Sequence, residues 1–255
     1  MSIVAKNYDV LLDRIRELAE YRSEDPVATA FNVGNSFYAT NELWKARNPK
    51  TAAEIMQHYR ESVPGVAQQV FATYGIPAEI MLRGRVRALA SPGGGRVLDF
   101  GAGIGSQLLP LLAMACRCTH VDVGGVQAEY AAWRYRRFGY HVGSGVPGAA
   151  CVEMIDLADD YMARGIPELA GRTFDVVICT EVIEHVTDPE GLVAVLSALV
   201  KPGGLCVATT SFHDDDGMVP MHLNVDKYDD ETFAAEVFPR FGLERIEEFV
   251  YRRRA

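Results

Sequence analysis

The stretch that most constrains this chain is Arg96-Val-Leu-Asp-Phe-Gly-Ala-Gly-Ile-Gly-Ser106, an apolar run that ends in an acid and then in glycine at every second position. Val97, Leu98 and Phe100 suit a strand buried on both faces. Gly101, Gly103 and Gly105 let the backbone turn at unusual φ and let a ligand approach with no Cβ in the way. The segment therefore reads as strand, tight turn and helix start. A phosphate is the first ligand to consider, but the dinucleotide fingerprint G-x-G-x-x-G would place Ser106 at its last position. Asp99, just before the turn, repels an anion and attracts an amino group. The loop is shaped for a cationic or aminoacyl ligand.

Three further stretches give the turn its context. Thr119-His-Val-Asp-Val-Gly124 is a second short strand whose Asp122 stands 21 residues after Gly101, a distance at which an acid suits ribose hydroxyls. Phe174-Asp-Val-Val-Ile-Cys-Thr-Glu-Val-Ile-Glu-His-Val-Thr-Asp-Pro189 and Leu199-Val-Lys-Pro-Gly-Gly-Leu-Cys-Val-Ala-Thr-Thr210 follow in order. With these four motifs, residues 95 to 250 resemble the class I S-adenosylmethionine-dependent methyltransferases. The first 90 residues suggest no family by themselves.

The alternation of strand and helix patterns from Arg96 onward predicts an α/β fold, a doubly wound Rossmann-like and mostly parallel sheet with an N-terminal helical extension. Strands are expected near 97–100, 119–123, 150–155, 174–179, 205–211 and 244–251, and helices near 106–116, 125–138, 157–164, 190–200 and 230–240. The Ser91-Pro-Gly-Gly-Gly95 cluster divides the chain into a helical cap or lid, residues 1–92, and a donor-binding domain, residues 93–255. The resemblance implies an antiparallel seventh strand, yet only Arg-Arg-Arg-Ala follows Tyr251. Either the sheet has six strands or the missing one comes from elsewhere, with the Pro220 to Tyr228 region as a candidate.

The resemblance also assigns roles. Gly101, Ala102 and Gly103, with Gly105 closing the turn, would pass the methionyl part and ribose of S-adenosylmethionine. Asp99 would help hold its α-amino group, and Asp122, with Val123 beside it, would take the ribose hydroxyls. Asp156 stands where the family often accepts the adenine amino group, with Leu157 covering the ring; the same position suits a helix N-cap. Thr180 and Glu181 would face the methionine moiety and the incoming substrate. The products would be a methylated acceptor and S-adenosylhomocysteine.

Glu181-Val-Ile-Glu184-His185 puts two carboxylates and an imidazole on one turn, an E-x-x-E-H arrangement that permits a divalent metal. Small-RNA terminal 2′-O-methyltransferases use such an arrangement with a distant histidine, for which His213 or His222 would serve. Glu-His at this position is also common in family members that bind no metal, and no metal is expected here. Transfer of a methyl group to a hydroxyl or ammonium needs alignment, exclusion of water and a base. His185, His213 and His222 fall on loops at the site end of the sheet and are the candidate catalytic residues; His58, His120 and His141 read as structural. The segment from Ser211 to His222 is too long and mixed for a simple connection and is expected to flank the acceptor. Its Asp214 to Asp216 are either a solvated turn or a lure for a cationic acceptor.

A net charge of −9 disfavours nucleic acid and anionic membranes as partners. Arg134, Arg136 and Arg137, and Arg252 to Arg254, are the candidate exceptions, with solvated surface charge as the plainer reading. The absence of a leader pattern and of any apolar run of about 18 residues points to a cytoplasmic protein with no membrane span. Five cysteines, at 116, 118, 151, 179 and 206, with no C-x-x-C pair, read as buried thiols.

Before the turn, Leu11, Leu12, Ile15 and Leu18 mark an amphipathic helix. Pro26 ends it. Phe31, Phe37, Tyr38 and Trp44, interspersed with Asn32, Asn35 and Asn41, form either a substrate lid or a surface brace. Thr51 and Glu54 form a capping box for a helix to about Glu61, and two more helices follow. A lid of this kind predicts that removing residues 1 to 45 spares donor binding and abolishes turnover. The expected activity is methyl transfer to a small-molecule acceptor; a metal-assisted RNA 2′-O-methyltransferase, a non-catalytic nucleotide-binding module and a nucleotide-dependent oxidoreductase are the alternatives.

Overall fold

In the computed structural model, the structure describes residues 3–90, 95–143, 151–213 and 219–255. Asp214 to Asp216 and most of the Ser91–Gly95 punctuation lie outside them.

Six helices lead into the sheet: α1 (Ile3–Arg22), α2 (Pro26–Gly34), α3 (Ser36–Arg47), α4 (Ala52–Glu61), α5 (Val63–Gly75) and α6 (Pro77–Leu89). Their boundaries follow local chemistry. Asp25 caps α2 through the N–H groups of Val27 and Ala28, with Pro26 at the first position. Thr51 and Glu54 complete the reciprocal capping box of α4. The aromatic and amide-rich stretch, which sequence alone did not place in a plain helix, is helical: Asn35 separates α2 from α3 and donates back to Phe31 O.

The sheet contains β1 (Arg96–Phe100), β2 (Arg117–Asp122), β3 (His141–Val142), β4 (Cys151–Asp156), β5 (Phe174–Cys179), β6 (Val200–Ala208), β7 (Leu243–Glu247) and β8 (Val250–Arg253), in the order β3-β4-β2-β1-β5-β6-β8-β7. Pairing is parallel from β3 through β6, and β8 runs antiparallel to both β6 and β7. The single strand expected near 244–251 is thus two. The chain reverses at Glu248 and Phe249, where Phe249 adopts a φ of 60°. The antiparallel strand comes from this split and not from the Pro220 to Tyr228 region, which forms turns. No glycine, proline or asparagine marks the reversal, so the alternation of the sequence concealed it.

Helices cover both faces. On one, α6, α7 (Leu108–Ala113) and α8 (Val126–Arg137) pack Leu82, Val86, Leu108, Leu111 and Tyr135 against Val97, Val152 and Ile178. On the other, α9 (Tyr161–Arg164), α10 (Pro189–Leu199) and α11 (Asp230–Arg240) pack Leu192, Leu196, Phe233 and Phe238 against Leu98, Phe100 and Val177. A third cluster joins Ile15, Leu18, Val33, Val66 and Val70 of the leading helices to Ile104 and Tyr130. The five cysteines are buried thiols.

Candidate active site

Strand order reverses on either side of β1, so the edge formed by the carboxyl ends of β1, β2, β4 and β5 is where a ligand crevice belongs. The glycine turn caps it. Gly101 N and Ala102 N both donate to Val121 O, at 2.8 and 3.1 Å, folding the turn over β2. Gly101, Gly103 and Gly105 have φ of 75°, 50° and 72°, values at which a side chain is strained. Space is equally short: a Cβ on Gly101 would collide with Val182, and one on Gly103 with Gln69 Oε1.

Asp122 ends β2 directly beneath. Its Oδ2 accepts Gly103 N–H at 2.6 Å and its Oδ1 accepts Val123 N–H at 2.7 Å. Burial outweighs these two bonds and pushes its pKa up to about 6. Asp99 lies deeper, 2 % exposed, with Oδ2 unpartnered, and burial followed by the Asp122 charge pushes it to about 8. It is therefore under the turn, with its charge felt by Tyr135 and Cys118. Asp156 is exposed at the end of β4, beside Gly124, and Leu157 is buried next to it. The N-cap reading of Asp156 is not realised, because α9 starts at Tyr161.

The leading helices reach this edge through residues that sequence reading missed. Arg60, in the last turn of α4, donates from Nε to Val123 O (2.7 Å), from Nη2 to Leu157 O (2.8 Å) and from Nη1 to Asp159 Oδ1 (2.5 Å). Gln69 on α5 accepts Ile104 N–H at 2.9 Å and donates to Gln127 Oε1 at 2.5 Å. No local pattern announces either, since both bond to chain more than 30 residues away.

Beyond β5, Thr180 is half-buried and Glu181 exposed, with Glu181 at a φ of 55°. Thr209, at the end of β6, sustains this strained position: its hydroxyl accepts Glu181 N–H at 2.8 Å and donates to Glu181 Oε1 at 2.9 Å. Glu79 faces the same acid from α6, and burial together with the Glu181 charge pushes it up to about 7.

The three candidate histidines converge. His185 and His222 have ring centroids 4.9 Å apart, and His222 and His213 5.8 Å. His185 Nδ1 lies 3.0 Å from Met221 O and His222 Nδ1 2.8 Å from His213 O. A carbonyl can only accept, so each Nδ1 carries a proton, and Nε2 is the nitrogen that presents a lone pair when the ring is neutral. Burial, with His222 second, holds His185 neutral, its pKa lowered to about 4. Glu184 is fully buried behind it, with no hydrogen bond to either carboxylate oxygen and Oε1 3.7 Å from His185 Nε2, and burial raises its pKa well above the carboxylate range. One ligand atom from each of Glu184, His185 and His222 lies within 4.8 Å of the others.

From α3 and α4, Trp44 and Tyr59 continue this row of rings, with Tyr59 5.7 Å from His185 and its buried hydroxyl unpartnered. Of the four aromatics considered for a lid, Trp44 alone joins the row; Phe37 packs on Phe71, and Phe31 and Tyr38 are exposed. His58 and His120 are buried, and His141 lies exposed on β3.

Of the basic candidates, Arg134 is buried, Arg137 pairs with Glu20 and Arg254 with Glu244, Arg253 donates to Val200 O, and Arg136 and Arg252 are exposed. Among the described residues no helix is long and apolar enough to cross a membrane.

A family model for a methyltransferase domain matches residues 73–250. A ubiquinone biosynthesis O-methyltransferase of Methylocella silvestris is 31 % identical over 200 residues, 76 % of this chain and 67 % of the relative. Its counterpart in Chromobacterium violaceum is 36 % identical over 116 residues, 45 % of this chain and 44 % of that protein. Alignments of the second kind span less than half of the relatives' own length. The fold is that of an O-methyltransferase family protein from Burkholderia thailandensis (TM-score 0.57, 15 % identity, 88 % of this chain and 72 % of that one). It is also that of the N-methyltransferase NodS from Bradyrhizobium japonicum, solved with S-adenosyl-L-homocysteine (TM-score 0.54, 15 % identity, 80 % and 99 %). The glycine turn, the acid that ends the neighbouring strand and a family match over most of the chain agree, and the protein belongs to the class I S-adenosylmethionine-dependent methyltransferases.

Proposed function

We propose that this methyltransferase acts on the hydroxyl of a small molecule seated beside the row of rings that Trp44 and Tyr59 form with His185 and His222. The observation that carries the reading is the convergence of three histidines on the edge that also holds the glycine turn. The relatives named as O-methyltransferases support oxygen as the acceptor atom.

The residues present fit the donor: a glycine turn with no side chain of its own at Gly101 and Gly103, against which the Val182 and Gln69 side chains lie and would have to swing aside, and a carboxylate at Asp122. Gly101, Ala102, Gly103 and Gly105 would line the methionyl part and ribose, with Asp122 and Val123 at the ribose. Asp156 and Leu157 would serve the adenine, and Thr180 and Glu181 the junction with the acceptor. S-adenosylmethionine supplies an electrophilic methyl group when bound. The chain's task is to align a nucleophile with it and to keep water out. His213 or His222 takes the hydroxyl proton on an imidazole nitrogen, which leaves the oxygen electron-rich for attack. His185, neutral and tied to Met221 O, fixes the orientation of His222. The side chains of Arg60 and Gln69 lie over the strand ends and the turn, so admission of the donor requires these side chains to rearrange.

The test is titration with S-adenosylhomocysteine. Asp122→Ala should weaken binding roughly ten- to a hundred-fold, the worth of a charged hydrogen bond of about 1.5–3 kcal/mol. Binding equal to the parent's would remove Asp122 from the donor site. For the acceptor, His222→Asn should lower turnover of a phenolic substrate while leaving S-adenosylhomocysteine affinity at the parent value.

Glu184, buried beside His185 and His222 with no hydrogen bond to its carboxylate, favours a second reading, in which these residues hold a divalent cation that binds the acceptor hydroxyl. A chelator separates the two. Turnover that survives it supports the imidazole base, and turnover lost with it and restored by magnesium supports the metal.

A further inference from the structure

Arg134 is the largest fully buried side chain among the described residues, 1 % exposed on α8. Every hydrogen bond of its guanidinium leaves its own helix. Nη1 donates to Ile104 O at 2.6 Å and to Ser106 Oγ at 3.2 Å, Nη2 to Tyr74 OH at 2.7 Å, and Nε to Glu17 Oε1 at 2.5 Å. Glu17, 4 % exposed on α1, also accepts from Tyr130 OH at 3.3 Å and from Arg14. A guanidinium this far from water needs its counter-charge, so what Arg134 does to the glycine turn depends on a residue 117 positions away.

Ile104 stands between Gly103 and Gly105, both at positive φ. Glycine on each side leaves the two peptide planes around Ile104 little intrinsic preference, and external bonds decide their orientation. Its carbonyl is held by Arg134 and its N–H by Gln69. Gly105, the next residue, sits where any Cβ would strike Tyr135 Oη. The half of the turn after Gly103 is thus gripped from α1, α5 and α8, and only the half before it from the sheet.

We infer that Glu17 and Arg134 are a positioning pair that sets the glycine turn for the donor, so that donor affinity depends on the first helix although that helix contributes no group to the donor site. This reverses the expectation that residues 1 to 45 are dispensable for donor binding. It rests on the reading of the turn as the donor site.

The experiment is titration of the full chain with S-adenosylhomocysteine, paired with steady-state kinetics. Glu17→Gln leaves the guanidinium without its charge partner and the turn without a fixed anchor. If the competent arrangement falls to about a tenth of the population, the dissociation constant rises about ten-fold. The donor KM should rise with it, while kcat at saturating donor and the acceptor KM stay at parent values. Tyr74→Phe deletes one bond of Arg134, keeps the charge pair and should weaken binding by a few-fold. The double variant Glu17→Leu/Arg134→Met replaces the pair by apolar groups of similar size, a change that often leaves stability intact; it should keep the melting temperature and still lose donor affinity. A merely structural role predicts the opposite, with folded variants binding as the parent does, and parent-like affinity in Tyr74→Phe and the double variant overturns the inference. Failure of the underlying reading looks different: the parent itself would not bind S-adenosylhomocysteine, or Asp122→Ala would bind it unchanged.

Discussion

Asp99 ionises against its surroundings. In the folded chain its pKa is about 8, against 3.8 as the reference value, because the carboxylate is buried beside Asp122. A folded pKa above the unfolded one gives stability that is full below the unfolded value and is lost as pH rises through the folded value. The window therefore runs from about pH 4 to about pH 8. Asp99→Asn removes the titrating group, so its melting temperature relative to the parent should be higher at about pH 8.5 than at about pH 5. Thermal melts of both proteins at the two pH values check this, and a constant difference would mean that Asp99 does not titrate in that window. Residues of this kind were legible where their neighbours in sequence carry the signal. The glycine turn, Asp122, and the His185 and His222 loops all announce themselves through local spacing. Arg60, Gln69, Tyr59 and Thr209 do not, because each acts across a distance that only the folded chain closes.

At the scale of elements, a single glycine seats α4 on the sheet. Gly125 has φ 76° and ψ −153°, a region that only glycine adopts readily, and a Cβ there would collide with the backbone of Arg60. Gly125→Ala should cost about 2 kcal/mol or more and lift the end of α4 from Val123 and Leu157. Amide exchange in α4 should then quicken while β1 keeps its protection; unchanged exchange in α4 would show that the helix does not rest on this glycine. Apart from β3, which at two residues is too short to show a pattern, the parallel strands and the helices between them were legible from the alternation of apolar-rich stretches with helical ones. The β7–β8 hairpin was not. Its reversal uses Phe249 at positive φ, a conformation that side-chain pattern does not encode.

For the whole molecule the question is whether the leading helices and the sheet melt together. Ile15, Leu18, Val33, Val66 and Val70 share one apolar cluster with Ile104 of the glycine turn and Tyr130 of α8, and Leu82 and Val86 belong to the core against β1. Apolar contact on this scale couples segments more strongly than a hinged lid would. Heating should give one transition. The two tryptophans make this measurable: Trp44 reports from α3 and Trp133 from α8. Variants that keep one or the other should show coincident fluorescence melts, and separated midpoints would make residues 1–90 an independent unit. Sequence punctuation at Ser91–Gly95 suggested a boundary in the chain. It carried no information about the packing that crosses it.

The burial of all five cysteines has a chemical consequence. Burial raises the pKa of every one of these thiols, up to about 12 for Cys206, so the nucleophilic thiolate is scarce while the chain is folded. Each is buried in or beside a strand of the sheet, out of a reagent's reach until the sheet opens. At a reagent concentration high enough for alkylation to outpace reclosing, iodoacetamide should therefore label the native protein slowly and nearly all at once, at a rate set by unfolding. The thiols become a clock for the opening of the fold, read by mass spectrometry with no added probe, and stepwise labelling of single cysteines in the native state would show that the strands open one by one.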